Sequence, residues 1–126
     1  MSHRRKHLLI VYHSQAGATS RLAAAVIAGA REPDIENIEV RVTDALAATS
    51  DDVLWADAII VGTPENFGYM SGAVKYFFDR IYYPCLEHTR GLGYALFIKA
   101  GNDGQGALSA MQRIITGLGW RALAPP

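Results

Sequence analysis

The sequence predicts an α/β fold: a doubly wound parallel sheet with helices on both faces. Three observations predict it. Short apolar runs recur at residues 8–12, 58–61 and 94–98. Stretches with apolar residues at helical spacing separate them. Each run ends in a loop of small and polar residues. Uninterrupted apolar runs suit strands covered on both sides, as in a parallel sheet flanked by helices. Strands that alternate with helices along a chain connect by crossovers of one hand.

The elements follow in order. Residues 8–12 form the first strand. Thr19 and Ser20 open a helix in which Leu22, Val26 and Ala30 repeat at i, i+4, i+8. Residues 38–42 alternate apolar and charged side chains, so this strand has one wet side and belongs at a sheet edge. Residues 51–56 fit a helix of little more than one turn, and 58–61 the next strand. Val74, Phe77, Phe78 and Ile81 make a full apolar stripe at i, i+3, i+4, i+7. After the strand at 94–98, Leu108, Met111, Ile115 and Leu118 mark a last helix, stopped by Gly119. Residues 120–123 begin a fifth strand, but Ala124, Pro125 and Pro126 follow, and proline does not suit a central strand. With no helix after it, part of one sheet face is left bare. The expectation is a single domain, residues 1–126, that lacks its C-terminal helix because the chain is cut short; a partner covering that face is the other reading.

Bulk properties narrow the function classes. Lys+Arg and Asp+Glu are both 12, a formal net charge of +0. That gives no footprint for nucleic acid and no strongly acidic surface. Cys85 is the one cysteine, so no internal disulfide can form and a reducing compartment is expected. The basic residues 1–7 precede an apolar run too short for a signal sequence or a membrane span. A cytoplasmic protein with no membrane partner is expected. Cys85, Glu87 and His88 lie close together but do not make a metal ligand set.

In an open parallel sheet, ligands bind beyond the carboxyl ends of the strands. The first loop there is Ser14, Gln15, Ala16, Gly17, Ala18 and Thr19. Its small residues let backbone approach a ligand, and the helix start favours an anion. It contains no Lys or Arg, which suits a retained phosphate monoester better than a triphosphate undergoing cleavage. Neither GxxxxGK[ST] nor GxGxxG is present. The residues alone also allow an ordinary capped turn. The second loop runs from Gly62 to Gly72, with Pro64, Phe67, Gly68 and Tyr69, and suits a planar ring. The third, residues 99–106, is again small and rich in donors. Three such loops on one sheet edge make one concave site.

Residues 14–19 resemble the phosphate loop of flavodoxin-like proteins. Gly62-Thr63-Pro64 through Gly68, Ser71 and Gly72, then Lys75, Phe77, Asp79 and Arg80, is similar to the second flavin loop and following helix of the flavodoxin-family NAD(P)H:quinone and FMN reductases. The resemblance runs from about His7 to Leu123. It implies strand order 2-1-3-4-5 and FMN as cofactor. It implies that Ser14, Gln15, Ala16, Gly17, Ala18 and Thr19 hold the phosphate. Pro64, Glu65, Asn66, Phe67 and Gly68 would line the isoalloxazine, and Ala100, Gly101, Asn102, Asp103 and Gly104 would approach it from the other side. Glu65, Asn66, Asn102 and Asp103 are candidates to hydrogen-bond the ring edge; Phe67 and Tyr69 would wall the substrate side. Ala16 departs from the usual hydroxyl residue, a lost donor of about 1–2 kcal/mol.

The activity this implies is hydride transfer from NAD(P)H through flavin to a quinone or similar small acceptor, with no general acid or base required. The resemblance leaves room for a homodimer or higher oligomer, because many relatives build their site at an interface, but the sequence does not identify the oligomeric state. An electron-carrying flavodoxin is the alternative, disfavoured by the balanced charge. A phosphoryl-accepting receiver domain is excluded by the absence of carboxylates at Tyr12-His13-Ser14 and Val61-Gly62-Thr63. A cysteine phosphatase is excluded by the position of Cys85, expected in a helix-to-strand connection.

Overall fold

The computed structural model describes residues 5–14 and 17–126. In chain order the elements are β1 (Lys6–Tyr12), α1 (Gly17–Ala30), β2 (Ile38–Asp44), α2 (Ser50–Trp55), β3 (Ala58–Asn66), β4 (Tyr69–Met70), α3 (Gly72–Cys85), β5 (Gly93–Lys99), α4 (Gln105–Leu118) and β6 (Arg121–Ala122). The sheet runs β2-β1-β3-β5-β6, with all neighbours on this path parallel. β4 stands off the path and pairs antiparallel with the end of β3. With that stub set aside, the order is the expected 2-1-3-4-5.

Alternation along the strands sorts the two faces. Leu9 and Val11 of β1, Ile59 and Val61 of β3, and Tyr94 and Leu96 of β5 join one core cluster. Val53 of α2, Phe77, Phe78 and Ile81 of α3, and Met111, Ile115 and Leu118 of α4 complete it, so these three helices share a face. α1 lies on the other, against β3 and β5. There Gly62 makes room for the Phe97 ring, which would overlap any Cβ at that position. Helices therefore flank the sheet on both sides, as predicted.

β2 is the edge strand its alternation foretold: residues 38–43 are half-buried throughout. β6 is shorter than residues 120–123 suggested. Trp120 is buried, with its indole N–H on Thr89 Oγ1 at 2.9 Å, and only Arg121 and Ala122 join the ladder. α3 runs longer than its stripe implied, because Cys85 continues the apolar face of Val74, Phe77, Phe78 and Ile81. Cys85 thus ends a helix rather than lying in a connection. Burial, reinforced by the Asp51 carboxylate, pushes its thiol up to about 11, so it stays protonated at neutral pH. No helix among the described residues is long and apolar enough to cross a membrane.

The largest departure from expectation is at β3, which continues to Asn66 instead of ending near Val61. β1 stops level with Gly62, while β5 continues to pair as far as Pro64. One side of β3 is therefore open at Pro64, where a residue without an N–H is tolerated. The expected long loop is a strand extension and a two-residue hairpin. Phe67 and Gly68 form its turn, at φ 53° and 71°. Two successive positive φ values are the signature of a type I′ hairpin, which twists in the sense of the flanking strands.

Candidate functional site

The register places the carboxyl ends of β1, β3 and β5 at one rim. Tyr12 is level with Gly62, and Pro64 with Lys99. The described residues that follow these strands therefore leave from the same edge.

The first segment leads from β1 into α1. Gln15 and Ala16 lie outside the described residues. Gly17 opens α1, Ala18 and Thr19 belong to its first turn, and Thr19 is buried. No acidic residue occupies that turn. A methyl group on Gly17 would lie 3.2 Å from Arg21 Nη1, so the Arg21 guanidinium lies beside the helix start. Sequence reasoning found no cation within residues 14–19 and missed this one; the i, i+4 relation of Gly17 and Arg21 was the available signal. His13 stands at the entrance. Its Nδ1 is 3.5 Å from Asp44 Oδ2, within ion-pair reach but without a hydrogen bond.

The second segment is the hairpin. At its base, Ser71 N–H donates to Thr63 Oγ1 at 2.9 Å, and the Thr63 hydroxyl donates to the Pro64 carbonyl at 2.8 Å. Ser71 Oγ then accepts the Val74 N–H, capping α3. At its tip, Phe67 is fully exposed and Tyr69 partly so. A bulky residue at positive φ with its ring in solvent is unfavourable on both counts.

The third segment ends in the start of α4. Gly104 sits at the N-cap in the left-handed region and offers no side chain to the first turn. Two carboxylates do so instead. Asp103 Oδ1 accepts the Gln105 N–H at 3.0 Å, and Glu65 Oε2, from the hairpin, accepts the Ala107 N–H at 3.1 Å. Gly106 abuts the Gly68 carbonyl so closely that a Cβ there would overlap it. The structure thus joins the second and third segments directly. A hollow of about 360 Å³ beside the third is lined by Ile98, Lys99, Ala100, Asn102, Asp103 and Leu108, among others.

Two helix starts at this rim could receive an anion, and they differ. Two carboxylates meet that of α4; the first turn of α1 holds no acidic residue and has a guanidinium at its side. An anionic group is favoured at the second and repelled at the first.

A family profile described as NADPH-dependent FMN reductase matches residues 8–126. The chain belongs to that family. The family match points to FMN as the cofactor. A flavodoxin of Aquifex aeolicus is 36% identical, over 86% of this chain and 58% of its own length. An NAD(P)H dehydrogenase (quinone) of Geobacter sulfurreducens is 37% identical over 58% of this chain and 47% of its own. The chain therefore spans about half the length of these relatives. Among solved structures, a flavodoxin from the domain Archaea superposes with a TM-score of 0.79 at 23% identity, covering 94% of this chain and 79% of that one. A WrbA-like flavodoxin of Agrobacterium tumefaciens gives a TM-score of 0.70 at 24% identity, with 91% and 74% covered. At these identities the structural likeness shows the flavodoxin-like fold.

Proposed function

We propose that the rim binds FMN, with its phosphate at residues 14–19 and its ring between residues 64–68 and 100–104, and that the protein is an NAD(P)H-dependent flavin oxidoreductase acting on a quinone or similar small acceptor. The observation that carries the reading is the helix start of α1, with no acidic residue in its first turn and Arg21 beside it. Amide N–H groups there, with the hydroxyls of Ser14 and Thr19, supply neutral donors to a phosphate monoester. Arg21 supplies a charge-assisted one.

When bound, FMN supplies the two-electron chemistry, accepting hydride from NAD(P)H and passing it to the acceptor. The chain's own residues bind and orient. Thr63 and Ser71 fix the base of the hairpin, and the turn presents Phe67 at the ring side. Asn66 and Asn102 remain candidate partners for the ring edge. Glu65 and Asp103 each have a carboxylate oxygen bound to an α4 amide, which restrains how they meet a ring. No side chain need hold or move a proton.

Electron carriage without turnover is a second reading, favoured by the flavodoxin relative that matches most of this chain. Titration of the protein with FMN, followed by addition of NAD(P)H and a quinone, tests both. Quenched flavin fluorescence together with NAD(P)H oxidation supports the reductase. Quenching without oxidation supports the carrier, and no quenching rejects both.

A further inference from the structure

We propose that Glu65 is a positioning residue: its carboxylate latches the hairpin of residues 65–70 onto the first turn of α4 and so fixes the ring side of the rim. The inference rests on the flavin reading above. The latch is a contact between residues 42 positions apart, Glu65 Oε2 accepting the Ala107 N–H at 3.1 Å. It adds a polar tie between elements that also pack against each other, with Gly106 against the Gly68 carbonyl. The hairpin ladder has two residue pairs, Glu65 with Met70 and Asn66 with Tyr69, and so short a ladder is marginal in water. α4 lacks a side-chain cap of its own at Gly104.

Each side therefore supplies what the other lacks. The carboxylate satisfies an amide of the α4 start and meets its positive dipole end. The helix in return anchors the hairpin midway between its base, pinned at Thr63 and Ser71, and its tip, pressed against Gly106. Phe67 is held at positive φ with its ring outward, a conformation that persists only when its surroundings impose it. Removing the Glu65 acceptor leaves an amide without its partner and frees the hairpin to move relative to residues 100–104. The phosphate end at α1 is untouched. A loosened hairpin therefore weakens FMN and riboflavin by the same factor.

Three variants test this: Glu65→Ala, Glu65→Gln, and Thr49→Ala as a stability control that removes the α2 cap, away from the hairpin. Dissociation constants for FMN and riboflavin come from fluorescence quenching, and amide exchange is followed without ligand. In Glu65→Ala both flavins should bind about tenfold more weakly, with a shifted visible spectrum of the bound flavin. Glu65→Gln keeps an oxygen acceptor and should restore most of the affinity. Exchange at Ala107 and at residues 66–69 should accelerate in Glu65→Ala alone. Wild-type affinity in Glu65→Ala, or a loss no larger than that in Thr49→Ala, overturns the proposal. Wild-type protein that binds neither flavin overturns the functional reading; exchange at Ala107 then still decides the latch.

Discussion

The starts of α1 and α4 emerge at the same sheet rim, yet different charged groups lie beside them among the described residues. Both leave amide N–H groups unbonded within the helix, and both point a positive dipole end at the rim. α4 is closed by its own chain: Asp103 and Glu65 accept from Gln105 and Ala107, and Gly106 is pressed against the hairpin carbonyl. α1 has no carboxylate in its first turn and has Arg21 beside Gly17. Of the two helix starts at the rim, the one at α4 is occupied by carboxylates of the chain itself. The occupied start ties two loops into one wall; on the function proposed above, the start of α1 receives the ligand.

Gly106→Ala probes the α4 side with the largest expected effect. In a free helix turn this change would stabilise by up to about 1 kcal/mol. Here the methyl meets backbone, and overpacking costs about 1–3 kcal/mol, so a net loss should appear as a lower urea midpoint. A stabilised variant would break the comparison, since the hairpin would then not close the α4 start.

Arg21→Ala probes the α1 side. Loss of one charge-assisted hydrogen bond should weaken FMN by about 1–2 kcal/mol and leave riboflavin unchanged, as read by fluorescence quenching. Equal losses for both ligands would mean that Arg21 serves the fold and not the phosphate.

Phe67→Asn sharpens the account of the hairpin. Asn-Gly is the preferred pair for a type I′ turn, so the variant should gain up to about 1 kcal/mol in thermal or urea unfolding. It should nevertheless bind flavin, or turn it over, less well. Greater stability with undiminished flavin function would remove the reason for an exposed aromatic at that turn.

The sheet was legible because its signals are local. The apolar runs at 8–12, 58–61 and 94–98, the alternation at 38–42 and the stripes from Val74 and Leu108 each state their own element. The extension of β3 was not legible. Pro64 argued for a loop, and Phe67-Gly68 is not the usual hairpin pair; only the neighbouring strand ends show why β3 can continue there. The two features that distinguish the helix starts also escaped a linear reading. Arg21 enters the rim by folding back one helical turn, and Glu65 reaches Ala107 across 42 residues. Pairings of that kind depend on topology, which the sequence expresses only once it is folded.

The central claim is that phosphate goes to α1 and not to α4. Backbone amide NMR with saturating FMN and then with riboflavin tests it most directly, because the two ligands differ only in the phosphate. Shift differences between the two complexes concentrated at Gly17, Ala18, Thr19 and Ser20 are the predicted result. Differences concentrated at Gln105, Gly106 and Ala107 would contradict it.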